Sequence, residues 1–211
     1  MSLPCVEVAD APATEAFLAN PKDVSLVQPA LDILKKSPGI IKVYYGLQTE
    51  ERKHGYVFNG EYIWEKLQDH RNLQAEPEIY PELGKQCSRF FTQRSEMVHI
   101  NPTADPFKAI GSPATEVASI SLKAGQSKEV LEQQVGLLAA TVNGLPEHWG
   151  AISAVWGPTV ERDDTFGLII GWTSVDAHWN TVKTVPELIQ LLKEIREIAD
   201  ISLIHAELTE Y

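Results

Sequence analysis

Cysteine is scarce in this chain of 211 residues: Cys5 and Cys87 are the only two, far apart and in no CxxC pair. Two isolated thiols offer no disulfide framework and no thiolate metal knuckle, which fits a reducing compartment, and both are expected as plain buried thiols. No apolar run reaches the roughly 18 residues that a membrane-spanning helix needs. The opening MSLPCVEVAD has neither a basic n-region nor an apolar h-region, so no secretory signal is expected and the expected location is cytoplasmic. Positive charge is also short. Lys and Arg total 18 against 29 Asp and Glu, a net charge of −11. Without a basic face, neither nucleic acid nor a membrane is an expected partner. No HExxH, P-loop, GxGxxG or GxSxG motif occurs. Asp163-Asp164 reads as a hairpin turn, so no metal site is expected, and no carboxylate pair is placed for glycoside chemistry.

What is present is a globular composition, 44% hydrophobic and 22% charged, in a length that allows one large domain or two of roughly 100 residues. The two halves resemble each other at an offset of about 110 residues, the signature of duplication. GIIKVYYGLQ (39–48) lies over GAISAVWGPT (150–159), matching Ile41 with Ile152, Tyr45 with Trp156 and Gly46 with Gly157. HGYVFNGEY (54–62) lies over TFGLIIGWTS (165–174), and MVHINP (97–102) over LIHAEL (203–208), with His99 opposite His205.

The elements follow from pattern. In the second half TEVASISLKA (115–124) alternates as a strand, and KEVLEQQVGLLAATVNGL (128–145) has apolar residues at helical spacing and a stop at Asn143-Gly144. Strands are expected at AISAVWGPTV and TFGLIIGW. A helical stretch over 174–198 is capped by Ser174 and broken or restarted at Pro186, and ISLIHAEL is the last strand. The order is βαββαβ. The first half repeats it more loosely, with helical stretches at 26–37, 63–74 and 81–91. The domains are expected at 1–100 and 115–211, joined by a Pro-rich linker at 101–114. The βαββαβ order is the ferredoxin-like unit, an antiparallel sheet with two helices on one face. Its bare sheet face needs a cover, and two units can cover each other. The fold class is therefore α+β: two ferredoxin-like units whose antiparallel sheets pack into one intrachain α+β barrel.

This order across Val6 to Leu208, with VYYGLQ (43–48) and WTSVDAHW (172–179), resembles the dimeric α+β barrel superfamily, in a tandem single-chain form similar to fungal members. The resemblance implies a pocket in each unit between sheet and helices. It also implies activities that range from cofactor-free monooxygenases of the antibiotic-biosynthesis type and polyketide cyclases to stress-responsive proteins and haem enzymes. Fold does not choose among them.

Among candidate residues, His178 comes first, in the first turn of a helix directly after a strand. Imidazole there suits a general base on an acidic C–H or phenol, or a haem ligand. Matching Gly55 to Gly167 sets Lys66 opposite His178 and Gly60 opposite Trp172. On that match the first half is a degenerate scaffold and the second holds the active pocket. Tyr44 or Asn180 would hold a developing oxyanion, with Trp172, Trp179, Trp156 and Tyr45 as ligand-binding walls. His99 and His205, at equivalent points, either line both cavities or serve as hydrogen-bonded structural groups. His54 and His70 fall in polar stretches and are expected at the solvent, and His148-Trp149 reads as a pocket rim. The leading reading is a cofactor-independent enzyme acting by His-assisted proton abstraction on a small hydrophobic, apolar or aromatic molecule. The alternatives are a haem protein of the same fold and a non-catalytic ligand-binding or stress-response protein. A monomer with an intrachain pseudo-dimer suffices for the fold, and a homodimer is compatible with it.

Overall fold

The computed structural model describes residues 3–50, 54–57 and 63–211. They form two compact units, Met1–His99 with Ala206–Tyr211, and Ile100–His205. The first carries β1 (Cys5–Pro12), α1 (Glu15–Ala19), α2 (Val24–Lys35), β2 (Tyr44–Gln48), β3 (His54–Val57), β4 (Ile63–Trp64), α3 (Leu67–Ala75), α4 (Ile79–Cys87) and β5 (Glu96–Ile100). The second carries α5 (Phe107–Ile110), β6 (Ala114–Leu122), α6 (Lys128–Asn143), β7 (Ala151–Pro158), β8 (Thr165–Trp172), α7 (Val175–Thr184), α8 (Pro186–Ile198) and β9 (Ala199–Glu210). The residues of β9 beyond His205 belong to the first unit.

The second unit has the ferredoxin-like strand order β9-β6-β8-β7. In the first, β3 and β4 pair antiparallel with successive stretches of β1, β5 also pairs with β1, and β2 lies between β3 and the end of β9. The fold class is α+β, with antiparallel strand pairing in each unit. Two matched glycines show why the repeat is strict at this point. A side-chain carbon at Gly46 would collide with the Glu207 carbonyl, and one at Gly157 with the Asn101 carbonyl. Each glycine lets another backbone segment of its own unit approach closely.

Local signals explain the elements that frame the sites. Ser174 accepts a hydrogen bond from the Ala177 amide at 3.0 Å and starts α7 immediately after β8. Pro186 opens α8 at its first turn, where its missing N–H costs nothing. Asn143, the last residue of α6, both donates to the Ala154 carbonyl and accepts from its amide at 2.8 Å, tying the helix end to β7. In the first half, the helical reading of 63–74 is corrected. Ile63 and Trp64 are strand, and the helix begins at Leu67. Ile-Trp is a β-favouring pair, and strand pairing with Cys5 and Val6 decides it. The Pro-rich stretch at 101–114 contains the short helix α5, which packs on β8: Ala109 and Ser112 lie where a side chain at Gly171 would stand.

Candidate active sites in the two units

The alternation of β1 turns Cys5, Glu7 and Ala11 to one side, and β6 does the same with Ala114, Glu116 and Ala118. The flanking apolar residues enter the two cores. Each strand thus buries one glutamate: Glu7 is 1% exposed and Glu116 4%. A buried carboxylate requires partners, and each unit supplies the same set. Trp64 donates its indole N–H to Glu7 Oε2 at 2.9 Å, and Trp172 donates to Glu116 Oε2 at 2.8 Å. His70 and His178 each lie one turn into the helix that follows the tryptophan. Nδ1 of His70 is 2.7 Å from Nε2 of His99, and Nδ1 of His178 is 2.8 Å from Nε2 of His205. As a hydrogen bond, such a contact needs a proton between the two nitrogens. All four histidines are buried.

The two clusters differ in how the carboxylate meets the helix histidine. Glu7 Oε2 is 3.1 Å from His70 Nδ1, the nitrogen that also faces His99. Glu116 Oε2 is 3.5 Å from His178 Nε2, while Nδ1 of that ring faces His205. In the second unit both ring nitrogens of the helix histidine are therefore turned toward cluster partners.

They differ more in what lies beside them. Glu7, Trp64 and His70 line a cavity of about 440 Å³ in the first unit, walled by Leu34, Leu83, Phe90, Phe91 and Met97 and bordered by Gln93, Arg94 and Ser95. Glu116, Trp172 and His178 border a space of only about 40 Å³, between residues such as Val182, Leu188, Leu192 and Leu203. Ligand sites for drug-sized molecules run to roughly 300–1,000 Å³. The first cavity is in that range and the second holds about a water or two. Cys87 also lines the first cavity. Burial, and next the negative charge of Glu7, push its thiol up to about 12, so it stays protonated at neutral pH and is no nucleophile.

The match of His178 with Lys66 is corrected by this geometry. Trp64 and His70 have the same separation as Trp172 and His178, so the first half carries both counterparts. Gly60 lies outside the described residues, as does the His54 side chain. His70, expected at the solvent, is 3% exposed. His99 and His205 enter the clusters as partners of the helix histidines. Trp172 and Trp179 do flank His178, at ring distances of 5.0 and 4.5 Å, with Trp179 partly exposed. Asn180 is exposed on α7. Tyr44 donates to Glu210 at 2.7 Å, and that bond, with Lys42, holds the Glu210 carboxyl below its usual range. Tyr45 is buried in the first core, where burial raises its phenol. Trp156 packs on the second core beside Phe166, 5.8 Å away. None of these last four joins either cluster. His148 is exposed on a short turn. The space beside His178 is about 40 Å³.

The two glutamates are the members that sequence reasoning missed. The signal was present twice, as Glu-Val in the first strand of each half and as the repeated Trp-to-His separation.

No family model matches the chain, and no curated protein matches it. Solved structures do. A provisionally named monooxygenase from Fusobacterium nucleatum has a TM-score of 0.65 at 9% identity, covering 100% of this chain and 98% of its own. A second provisionally named monooxygenase, from Lactobacillus acidophilus, has 0.64 at 14%, covering 99% and 96%. An anthrone oxidase-like protein has 0.69 at 10%, covering 99% and 92%. At such identities the likeness is one of fold, and it extends over the full length of this chain.

Proposed function

We propose that the protein is a cofactor-independent oxygenase whose working site is the first unit. Its substrate would be a flat, largely apolar phenolic molecule with an acidic CH₂ group, of the anthrone kind. The observation that carries this reading is the pair Glu7 and His70 at the wall of the 440 Å³ cavity, with His99 2.7 Å from His70 Nδ1. The names of the full-length structural neighbours, monooxygenase and anthrone oxidase-like, point the same way.

The chemistry follows from the cluster. Glu7, 3.1 Å from the His70 ring, holds it in place and stabilises the imidazolium that forms when His70 takes a proton. His70 removes one proton from the CH₂. The resulting carbanion, delocalised into the phenolic rings, passes an electron to O₂, and recombination gives a hydroperoxide. Loss of water, with the second C–H proton, leaves a carbonyl: CH₂ plus O₂ becomes C=O plus H₂O. The Leu34, Phe90 and Phe91 walls exclude water from the carbanion, and Arg94 at the border suits a phenolate oxygen.

The test is oxygen uptake with 1,8-dihydroxyanthrone as probe. The wild type is expected to accelerate it, with quinone formed one-to-one with O₂ consumed. His70→Ala should lower the rate at least about 10²-fold, the usual scale for a general base. No acceleration by the wild type across a panel of phenolic CH₂ compounds would sink the reading.

A further inference from the structure

The donor atoms of the first cluster are spaced for more than proton transfer. Glu7 Oε2, His70 Nδ1 and His99 Nε2 form a triangle with edges of 2.7, 3.1 and 3.6 Å. A first-row divalent ion holds imidazole nitrogen and carboxylate oxygen at roughly 2.0–2.2 Å, which sets neighbouring ligand atoms roughly 3.0–3.4 Å apart. The 3.1 Å edge falls in that range, the 2.7 Å edge lies below it and the 3.6 Å edge above it, and the circumscribed radius is about 1.9 Å. An ion about 2.1 Å from all three atoms would thus stand about 1 Å above their plane, as on one face of a coordination shell. Two imidazoles and one carboxylate suit an ion of intermediate softness and leave positions for other ligands. Glu7 and His70 line the large cavity, which has space for those ligands. Trp64 fixes the very oxygen that would bind, the outer support that metal carboxylates have.

The second cluster has the same residue types in a poorer arrangement. His178 offers different nitrogens to Glu116 and His205, Glu116 Oε2 is 4.0 Å from His205 Nε2, and the adjoining space is about 40 Å³. We propose that Glu7, His70 and His99 form a binding site for one divalent first-row transition-metal ion, and that Glu116, His178 and His205 remain a hydrogen-bonded network. This claim is separate from the oxygenase reading, since His70 holding an ion at Nδ1 and His70 taking a substrate proton are alternative states of one imidazole, and it is tested without substrate.

The experiment uses the untagged full chain, stripped with a chelator, dialysed and titrated with Co²⁺ by visible absorption and with Zn²⁺ by calorimetry. One equivalent is expected to bind at about 1 μM or tighter, with ligand-field bands for Co²⁺. Glu7→Gln and His99→Gln should each weaken it at least about 10²-fold, and Glu116→Gln should change it less than about 3-fold. Circular dichroism checks that each variant is folded. If the first-cluster variants do not fold, Co²⁺ quenching of tryptophan fluorescence decides: the quenched component should persist in Trp172→Phe and vanish in Trp64→Phe. No saturable binding, two equivalents, or quenching that follows Trp172 would overturn the proposal.

Discussion

The two units carry the same four side chains at equivalent places, yet among the described residues the first cluster borders a ligand-sized space and the second a small one. Both have a strand glutamate, a tryptophan that donates to it, a helix histidine and a last-strand histidine. The cavity beside the first is about 440 Å³ and beside the second about 40 Å³. A buried Glu–His–His cluster thus occurs once beside a ligand-sized space and once beside a small one. In the second unit Val182, Leu188, Leu192 and Leu203 close over the cluster, and both nitrogens of His178 face partners within it. There the cluster serves to satisfy a buried carboxylate. In the first, the same hydrogen-bond economy stands next to room for a substrate.

The comparison can be broken most sharply with a thiol reagent. Both cysteines lie in the first unit, and Cys87 lines its cavity. With the thiol raised from an ordinary 9.0 to about 12, its thiolate fraction at pH 8 falls by about 10³. Iodoacetamide should label Cys87 about that much more slowly than a free thiol, and the rate should climb with pH until about 12. Fast labelling at pH 8, located by mass spectrometry, would mean that the thiol is neither buried nor held beside Glu7. The next contrast is catalytic. His70→Ala should cost at least about 10²-fold in oxygen uptake, and His178→Ala less than about 3-fold. The opposite order would move the working site to the second unit.

Two further changes sharpen the likeness rather than the difference. Gly46→Ala and Gly157→Ala each drive a side-chain carbon into a backbone carbonyl, so each should destabilise by about 2 kcal/mol or more in denaturant titration. A large effect at one position alone would break the structural repeat. Trp64→Phe and Trp172→Phe each remove one donor from a buried carboxylate. With bonds of 2.9 and 2.8 Å, equal losses of about 1–2 kcal/mol are expected.

Much of this was legible in the sequence, and the failures have physical causes. The repeat, the βαββαβ order, the Ser174 cap and the Pro186 restart are written in local chemistry. Gly46 and Gly157 marked equivalent points because both meet a neighbouring backbone. Glu7 and Glu116 were passed over because a lone charged residue in an alternating strand reads as its solvent face. Only the tryptophan and histidines brought by distant elements make burial tolerable. The Gly55–Gly167 match then shifted the register, set Lys66 against His178 and hid His70. The volume of a cavity is not a pattern in the chain at all. It depends on how helices such as α4 and α8 stand over their sheet and on which side chains fill the gap.

The most direct test of the central claim labels the chain with 5-fluorotryptophan and follows the ¹⁹F resonances of Trp64 and Trp172, assigned with the two phenylalanine variants. The probe is 1,8-dihydroxyanthrone, added without oxygen. A ligand site in the first unit alone should shift the Trp64 resonance in a saturable manner and leave Trp172 in place. A saturable shift of Trp172 with Trp64 unmoved would contradict the account.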